Sequence, residues 1–180
     1  MKRFVGLVVV CILLGFLGKE IYTSSQQHVN KEELVVNEDN KKVMQATNFE
    51  LPTIDGQMMD LHSQRGKVVI LNFWATWCQP CQKEVPHLQA FYENFKDKDV
   101  EILAVNLSHK DNRVKVIQSF AKKYNVTFPI LLDKKGEVST MYGVFTVPTT
   151  IILNREGEIL HEIAGPLDEN MLEELIQPAL

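Results

Sequence analysis

The pattern of apolar and polar positions predicts strands and helices in alternation over residues 46–180. Runs rich in β-branched and aromatic residues predict strands; they cover 49–54, 57–61, 67–74, 100–107, 128–132, 150–153 and 158–164. Apolar residues spaced by three and four predict helices at 82–95, 113–124, 138–142 and 169–176. Asp55-Gly56, between the first two runs, is typical of a hairpin turn. We therefore expect an α/β fold with an N-terminal β-hairpin and a mixed sheet covered by helices on both faces.

Residues 1–22 predict a membrane anchor or a signal peptide. Lys2 and Arg3 precede Phe4–Gly18, fifteen residues without a charge. Basic residues before an apolar segment place the N-terminus in the cytoplasm and the rest of the chain outside. The segment is shorter than the roughly twenty residues that cross a bilayer, but no clean small-x-small cleavage site follows it. We expect a retained single-pass anchor on the cell membrane, with a cleaved signal as the alternative.

Residues 23–45 predict a flexible linker. They are rich in Ser, Gln, Asn, Lys and Glu and contain no aromatic residue, so they bury too little apolar surface to fold alone. The segment 46–180 then forms one extracytoplasmic domain of ordinary size. The whole chain has a net charge of −4, which provides no basic surface for nucleic acid.

The motif Trp77-Cys78-Gln79-Pro80-Cys81 carries the chemistry of the sequence. It lies where the predicted strand 67–74 turns into the predicted helix 82–95. We expect this corner to expose Cys78 at the helix N-terminus, where unpaired N–H groups and the helix dipole favour a thiolate. Cys81 lies one turn further and is expected to be partly covered. A dithiol of this kind exchanges with other disulfides.

Other uses of the two cysteines fit the sequence less well. A structural zinc site needs four ligands, but the third cysteine, Cys11, is interpreted as a small apolar membrane residue, and no His-x3–5-His pair occurs. Haem attachment needs His directly after Cys81, where the chain has Gln82. A metal-binding or copper-delivery module stays open as a different class, which metal titration of the reduced domain would test. We expect no cofactor.

These residues resemble a known family. The segment Leu71–Cys81, Glu84 after it and Val147-Pro148-Thr149 are similar to the thioredoxin superfamily, and more closely to its membrane-anchored TlpA/ResA-like thiol-disulfide oxidoreductases. The resemblance extends from about residue 46 and includes the anchor. It implies a thioredoxin-like fold. The forty-one positions from Leu107 to Pro148 resemble that group's central helix-strand insertion.

The resemblance also suggests how a substrate is bound. Pro148 matches the family's cis-proline, which lies beside the cysteine pair and shapes the groove where a substrate backbone docks. Trp77 is expected to cover the pair and restrict access to it. We therefore expect Trp77, Val147 and Pro148 to bind substrate. Cys78 is expected to attack a partner disulfide and Cys81 to resolve the mixed disulfide, which leaves a redox-active Cys78–Cys81 disulfide.

Glu84 is the expected proton acceptor. Thioredoxins carry an acid six residues before the first cysteine, where this chain has Asn72. Glu84 follows Cys81 by three residues on the same predicted helix, so the two share a face. A carboxyl buried there would have a raised pKa and could take the Cys81 proton. The alternative is an ordinary helix glutamate, either in water or as a partner of the dipole at the helix N-terminus.

The expected activity is reduction of protein disulfides. Gln79-Pro80 adds no charge between the cysteines, so nothing indicates a strongly oxidising disulfide. The resemblance implies a membrane thiol-transfer protein of the CcdA type as electron donor and the Cys-x-x-Cys-His segment of an apocytochrome c as client. Alternatives are another envelope or spore-coat assembly client, or an oxidase. A peroxidase is disfavoured because Ala75 stands where peroxiredoxins have Thr.

Overall fold

The computed structural model describes residues 34–36, 42–111 and 113–180. The strands are β1 (Leu34–Val36), β2 (Lys42–Met44), β3 (Glu50–Pro52), β4 (Met58–Asp60), β5 (Val68–Trp74), β6 (Val100–Asn106), β7 (Ile130–Leu132), β8 (Thr149–Leu153) and β9 (Ile159–Ala164). The helices are α1 (Gln79–Phe95), α2 (Val114–Lys123), α3 (Glu137–Met141) and α4 (Glu169–Ile176). Single 3-10 turns cover His62–Gln64 and Gln177–Ala179.

The central sheet has five strands in the order β7-β6-β5-β8-β9. The β5–β6 and β6–β7 pairs are parallel, while β5–β8 and β8–β9 are antiparallel, so the predicted mixed sheet is confirmed. Phe73 of β5 pairs with Thr149 of β8. Because these strands run in opposite directions, this register places the end of β5 beside Pro148, at the start of β8.

Helices cover both faces of the sheet, as the sequence predicts. Alternate residues of a strand point to opposite faces. Val68 and Ile70 pack in one apolar cluster, to which α1, α2 and α4 contribute Phe91, Ile117 and Leu172. Val69, Leu71 and Phe73 pack in the other cluster, with Val138 of α3 and with Leu51 of the N-terminal hairpin. The segment leading to the cysteines is therefore fixed on both sides.

The N-terminal hairpin is confirmed. β3 and β4 pair antiparallel, and the Thr53 N–H donates to the Gln57 carbonyl at 2.7 Å across the turn. Gly56 has φ of +90°, a conformation that glycine adopts without steric cost. The hairpin joins the edge of the main sheet, because the Ile54 N–H donates to the Ile130 carbonyl at 3.0 Å.

Two short strands lie inside the segment predicted as a linker. β1 and β2 form a separate two-stranded sheet. Both strands contain β-branched residues, which favour extended backbone. Gln45 then bridges to Glu158, and the Ala46 N–H donates to the Gly157 carbonyl at 3.0 Å. The predicted domain boundaries at 22 and 45 stay predictions.

The segment between β6 and β8 contains the expected helix and strand, α2 and β7, followed by α3. Asp133 fixes the start of α3. Its buried carboxylate accepts from the N–H groups of Val138 at 3.4 Å and Ser139 at 2.9 Å.

The described part of the chain contains no helix with the length and apolar character needed to cross a bilayer. The predicted anchor, Phe4–Gly18, lies outside the described residues, so it stays a prediction.

Candidate active site

The cysteine motif forms the corner between β5 and α1. β5 ends at Trp74, and the Cys78 N–H donates to the Ala75 carbonyl at 3.2 Å, which turns the chain. α1 begins at Gln79 and has Pro80 in its first turn, where the missing N–H of proline costs no hydrogen bond. Cys78 is the N-cap of α1. The helix thus begins three residues before the predicted start at Gln82.

Cys78 and Cys81 form a disulfide, with an S–S distance of 2.07 Å. The Cys81 N–H donates to Cys78 Sγ at 3.2 Å, so the sulfur of Cys78 takes the place of the usual oxygen acceptor at a helix N-terminus. The expectation that Cys78 is exposed is wrong for this oxidised form. Cys78 is only 4% exposed and Cys81 is 0% exposed.

The loop before β8 covers Cys78. The Val147–Pro148 peptide bond is cis, as the resemblance implies, and the Val147 carbonyl oxygen lies 3.5 Å from Cys78 Sγ. Pro148 is buried and Val147 half-buried. Trp77 is 54% exposed beside Cys78 in the chain, whereas Trp74 is buried and packs 4.7 Å from the Phe120 ring. The structure therefore brings Val147 and Pro148 to the cysteine pair.

Glu84 is buried on the inner face of α1, which excludes the alternative of a solvated helix glutamate. Only 1% of Glu84 is exposed. Its Oε1 accepts from the Leu167 N–H at 3.0 Å, and its Oε2 accepts from Asn72 Nδ2 at 3.3 Å. Asn72 Nδ2 also donates to Thr150 Oγ1 at 3.1 Å.

Burial raises the pKa of Glu84 to about 7, although the hydrogen bonds from Leu167 and Asn72 act in the opposite direction. The carboxyl therefore exchanges its proton near neutral pH, which suits a group that accepts a proton from a thiol.

An open cleft of about 240 Å³ adjoins Glu84. Its lining comes from α1 and from the turn between β9 and α4: Lys83, Glu84, His87, Pro166, Leu167, Asp168 and Met171. Glu84 is thus part of the wall of a cleft that opens to solvent. No such cleft is readable from the sequence, because its two walls are about eighty residues apart in the chain.

Asp111 is a buried residue of the site that the sequence analysis missed. Its carboxylate accepts from the Thr76 N–H at 2.8 Å, Thr76 Oγ1 at 2.6 Å and Asn106 Nδ2 at 2.7 Å. Asp111 thereby ties the turn before Trp77 to the end of β6. A lone aspartate in a polar loop gave no indication of this role.

Known proteins are similar to this chain in sequence. The AhpC/TSA family model matches residues 44–162. The chain is 36% identical over 170 residues to the thiol-disulfide oxidoreductase ResA of Bacillus thuringiensis subsp. konkukian, covering 94% of this chain and 92% of that protein. It is 35% identical over 180 residues to ResA of Bacillus subtilis, covering 98% and 94%. The chain belongs to the AhpC/TSA family as a ResA-type thiol-disulfide oxidoreductase.

A solved structure agrees with this assignment. The crystal structure of StoA from Bacillus subtilis superposes with a TM-score of 0.66 at 37% identity, covering 73% of this chain and 97% of that chain. The thioredoxin-like fold expected from the sequence is therefore confirmed. The activity follows from the Cys78–Cys81 pair, which takes two electrons to become a dithiol and returns them when the disulfide forms again.

Proposed function

We propose that this chain is an extracytoplasmic reductase of protein disulfides. The observation that carries the proposal is the position of the Cys78–Cys81 disulfide. Cys78 lies against the backbone of Val147, and Glu84 is buried on the same helix as Cys81. This arrangement supports a client backbone that binds at Val147 next to Cys78 and a proton acceptor, Glu84, one helical turn after Cys81.

The loop at Val147 suits a client backbone. Among the described residues, the Val147 N–H has no hydrogen-bond partner. An extended client segment laid along this loop can pair its carbonyl with that N–H, which brings a cysteine of the client toward Cys78. Pro148 shapes the floor of this groove and Trp77 its rim.

The chemistry runs in two steps. The Cys78 thiolate attacks one sulfur of the client disulfide, and the other client sulfur leaves as a thiolate. Glu84 then accepts the proton of Cys81. The Cys81 thiolate attacks Cys78 Sγ, the second client sulfur leaves, and the Cys78–Cys81 disulfide forms. Two electrons have passed to the client.

The reductase needs a supply of electrons outside the cytoplasm. We propose a membrane thiol-transfer protein of the CcdA type as the donor, and the Cys-x-x-Cys-His segment of an apocytochrome c as the client, which must be reduced before haem attaches. The support is the similarity to ResA proteins over nearly the whole chain.

Capture in cells tests the client. Cys81→Ala cannot resolve a mixed disulfide, so it is expected to retain apocytochrome c through Cys78, while a Cys78→Ser/Cys81→Ala double variant retains nothing. The covalent adducts are separated on non-reducing gels and identified by mass spectrometry. Recovery of envelope or spore-coat proteins without any apocytochrome c would contradict the proposed client but not the reductase activity.

The location is tested separately. The full-length protein is expected to stay in membranes washed at alkaline pH, because Phe4–Gly18 is proposed to remain as an anchor with Lys2 and Arg3 in the cytoplasm. Protease added to intact protoplasts is expected to degrade the domain. A soluble mature form that begins near Thr23 would show instead that the segment is a cleaved signal.

A further inference from the structure

Phe145 is the most exposed large apolar side chain among the described residues. It is 94% exposed, against 56% for Met58 and 54% for Trp77. Phenylalanine is usually buried in folded proteins, since burial of its ring is favourable by a few kcal/mol. No contact within the described chain explains an aromatic residue at this position.

The loop that carries Phe145 is anchored on both sides. The Val144 N–H donates to the Ser139 carbonyl at 2.8 Å, and Val144 packs against the apolar cluster of the sheet. Thr149 Oγ1 donates to the Thr146 carbonyl at 2.8 Å, and Val147 packs against both clusters. Because the side chains of Val144 and Val147 pack against the core, the backbone between them directs the Phe145 side chain toward solvent.

Phe145 lies on the loop that covers the reactive sulfur. It lies two residues before Val147, whose carbonyl oxygen is 3.5 Å from Cys78 Sγ. Two extended residues span about 7 Å at most. Trp77 and Pro80, on either side of Cys78 in the chain, are also exposed. The exposed residues of the cysteine corner and of the Val147 loop thus include three apolar side chains, more than the single exposed apolar residue that is ordinary on a protein surface.

We propose that Phe145 selects clients by contacting a bulky apolar side chain close to their reactive cysteine. The client is an extended polypeptide segment that pairs with the Val147 backbone and places an aromatic or large aliphatic residue two or three positions from that cysteine. Phe145 and Trp77 hold this side chain from two sides. This inference rests on the proposed reduction of protein disulfides and adds the class of segment that is preferred.

Two peptides test the selection. Both contain an intramolecular Cys-x-x-Cys disulfide, and they differ only in the residues two and three positions before the first cysteine, which are Phe in one and Ser in the other. The reduced wild-type protein is expected to reduce the Phe peptide about five- to tenfold faster in kcat/KM, the size of effect that one aromatic contact gives. Phe145→Ser is expected to remove this preference, so that the Phe and Ser peptides are reduced with equal kcat/KM.

Two controls separate selection from damage. Met58→Ser changes another exposed apolar residue, on the β3–β4 hairpin, which joins the sheet at β7, two strands from β5. It is expected to keep the preference for the Phe peptide. Reduction of bis(2-hydroxyethyl) disulfide, which has no flanking residues, reports whether the cysteine pair of each variant still reacts, and the peptide rates are compared with it.

The outcomes distinguish the two proposals. Equal rates for the two peptides with the wild-type protein, or a preference that survives Phe145→Ser, would overturn the role of Phe145 and leave the reductase intact. Reduction of the small disulfide but of neither peptide would overturn the proposed function itself, and the proposed selection with it.

Discussion

Cys78→Ser is expected to abolish disulfide reduction, whereas Cys81→Ala still attacks and then stops at the mixed disulfide. Cys78 is the N-cap of α1 and its sulfur accepts the Cys81 N–H at 3.2 Å, so the helix terminus stabilises a thiolate on Cys78. Cys81 is fully buried one turn further. Attack is measured in a single turnover of the reduced protein with a fluorescent peptide disulfide.

The expected loss for Cys78→Ser is at least a thousandfold in the rate of attack, because the serine hydroxyl is not ionised near neutral pH. Cys81→Ala is expected to form one equivalent of adduct at close to the wild-type rate and to release no reduced peptide. Adduct formation by Cys78→Ser at the rate of Cys81→Ala would show that the second cysteine starts the reaction.

Glu84→Gln is expected to stabilise the oxidised protein at pH 8 and to change its stability little at pH 4.5. Burial raises the pKa of Glu84 to about 7 from an ordinary value of 4.5, so the folded protein binds this proton more tightly than the unfolded chain does. Stability therefore falls as pH rises from about 4.5 to 7 and stays low above that range. At about 1.4 kcal/mol per pKa unit, the ionised carboxylate costs the fold about 3 kcal/mol at pH 8.

Urea unfolding at a series of pH values measures this effect. The wild-type free energy of unfolding is expected to fall by about 2 to 3 kcal/mol between pH 5 and 8 through this one group, and Glu84→Gln should remove that fall. Glu174→Gln, at an exposed position of α4, is the matched control and should keep the wild-type profile. Parallel profiles for wild type and Glu84→Gln would contradict a raised pKa.

The same variant tests the catalytic role of Glu84. Without a carboxylate to accept the Cys81 proton, Glu84→Gln is expected to slow resolution of the mixed disulfide near neutral pH and to shift the pH profile of cysteine alkylation. Superimposable profiles of alkylation and turnover from about pH 5 to 10 would leave Glu84 with a structural role only.

The sequence predicted those parts of the fold that depend on local pattern. Three such parts are the turn at Asp55-Gly56, the strand leading to Trp74 and the helix 169–176. The spacing of apolar positions and the residue types at the turn determine them within a few residues. Burial of Glu84 was also predictable in part, because Cys81 and Glu84 are one helical turn apart and Asn72 stands where thioredoxins have an acid.

The contacts that complete the site were not readable, because they join distant segments. The carbonyl beside Cys78 belongs to Val147, 69 positions along the chain, and the N–H that binds Glu84 belongs to Leu167, 83 positions along. Burial of Cys78 follows from the first contact, which depends on the pairing register of β5 and β8. No pattern within a few residues of Cys78 specifies that register.

The two hydrogen bonds of the Asn72 amide have the direction that best suits an ionised Glu84. Asn72 Nδ2 donates both to Glu84 Oε2 and to Thr150 Oγ1. Because Oε1 already accepts from the Leu167 N–H, we expect a proton taken up by Glu84 to bind Oε2, where it faces the Asn72 N–H. Rotation of the amide by 180° replaces Nδ2 with Oδ1, which accepts from the carboxyl and from the Thr150 hydroxyl alike. We therefore expect uptake of one proton by Glu84 to favour the rotated amide, which reverses both hydrogen bonds and links Glu84 to Thr150 of β8, two residues beyond Pro148.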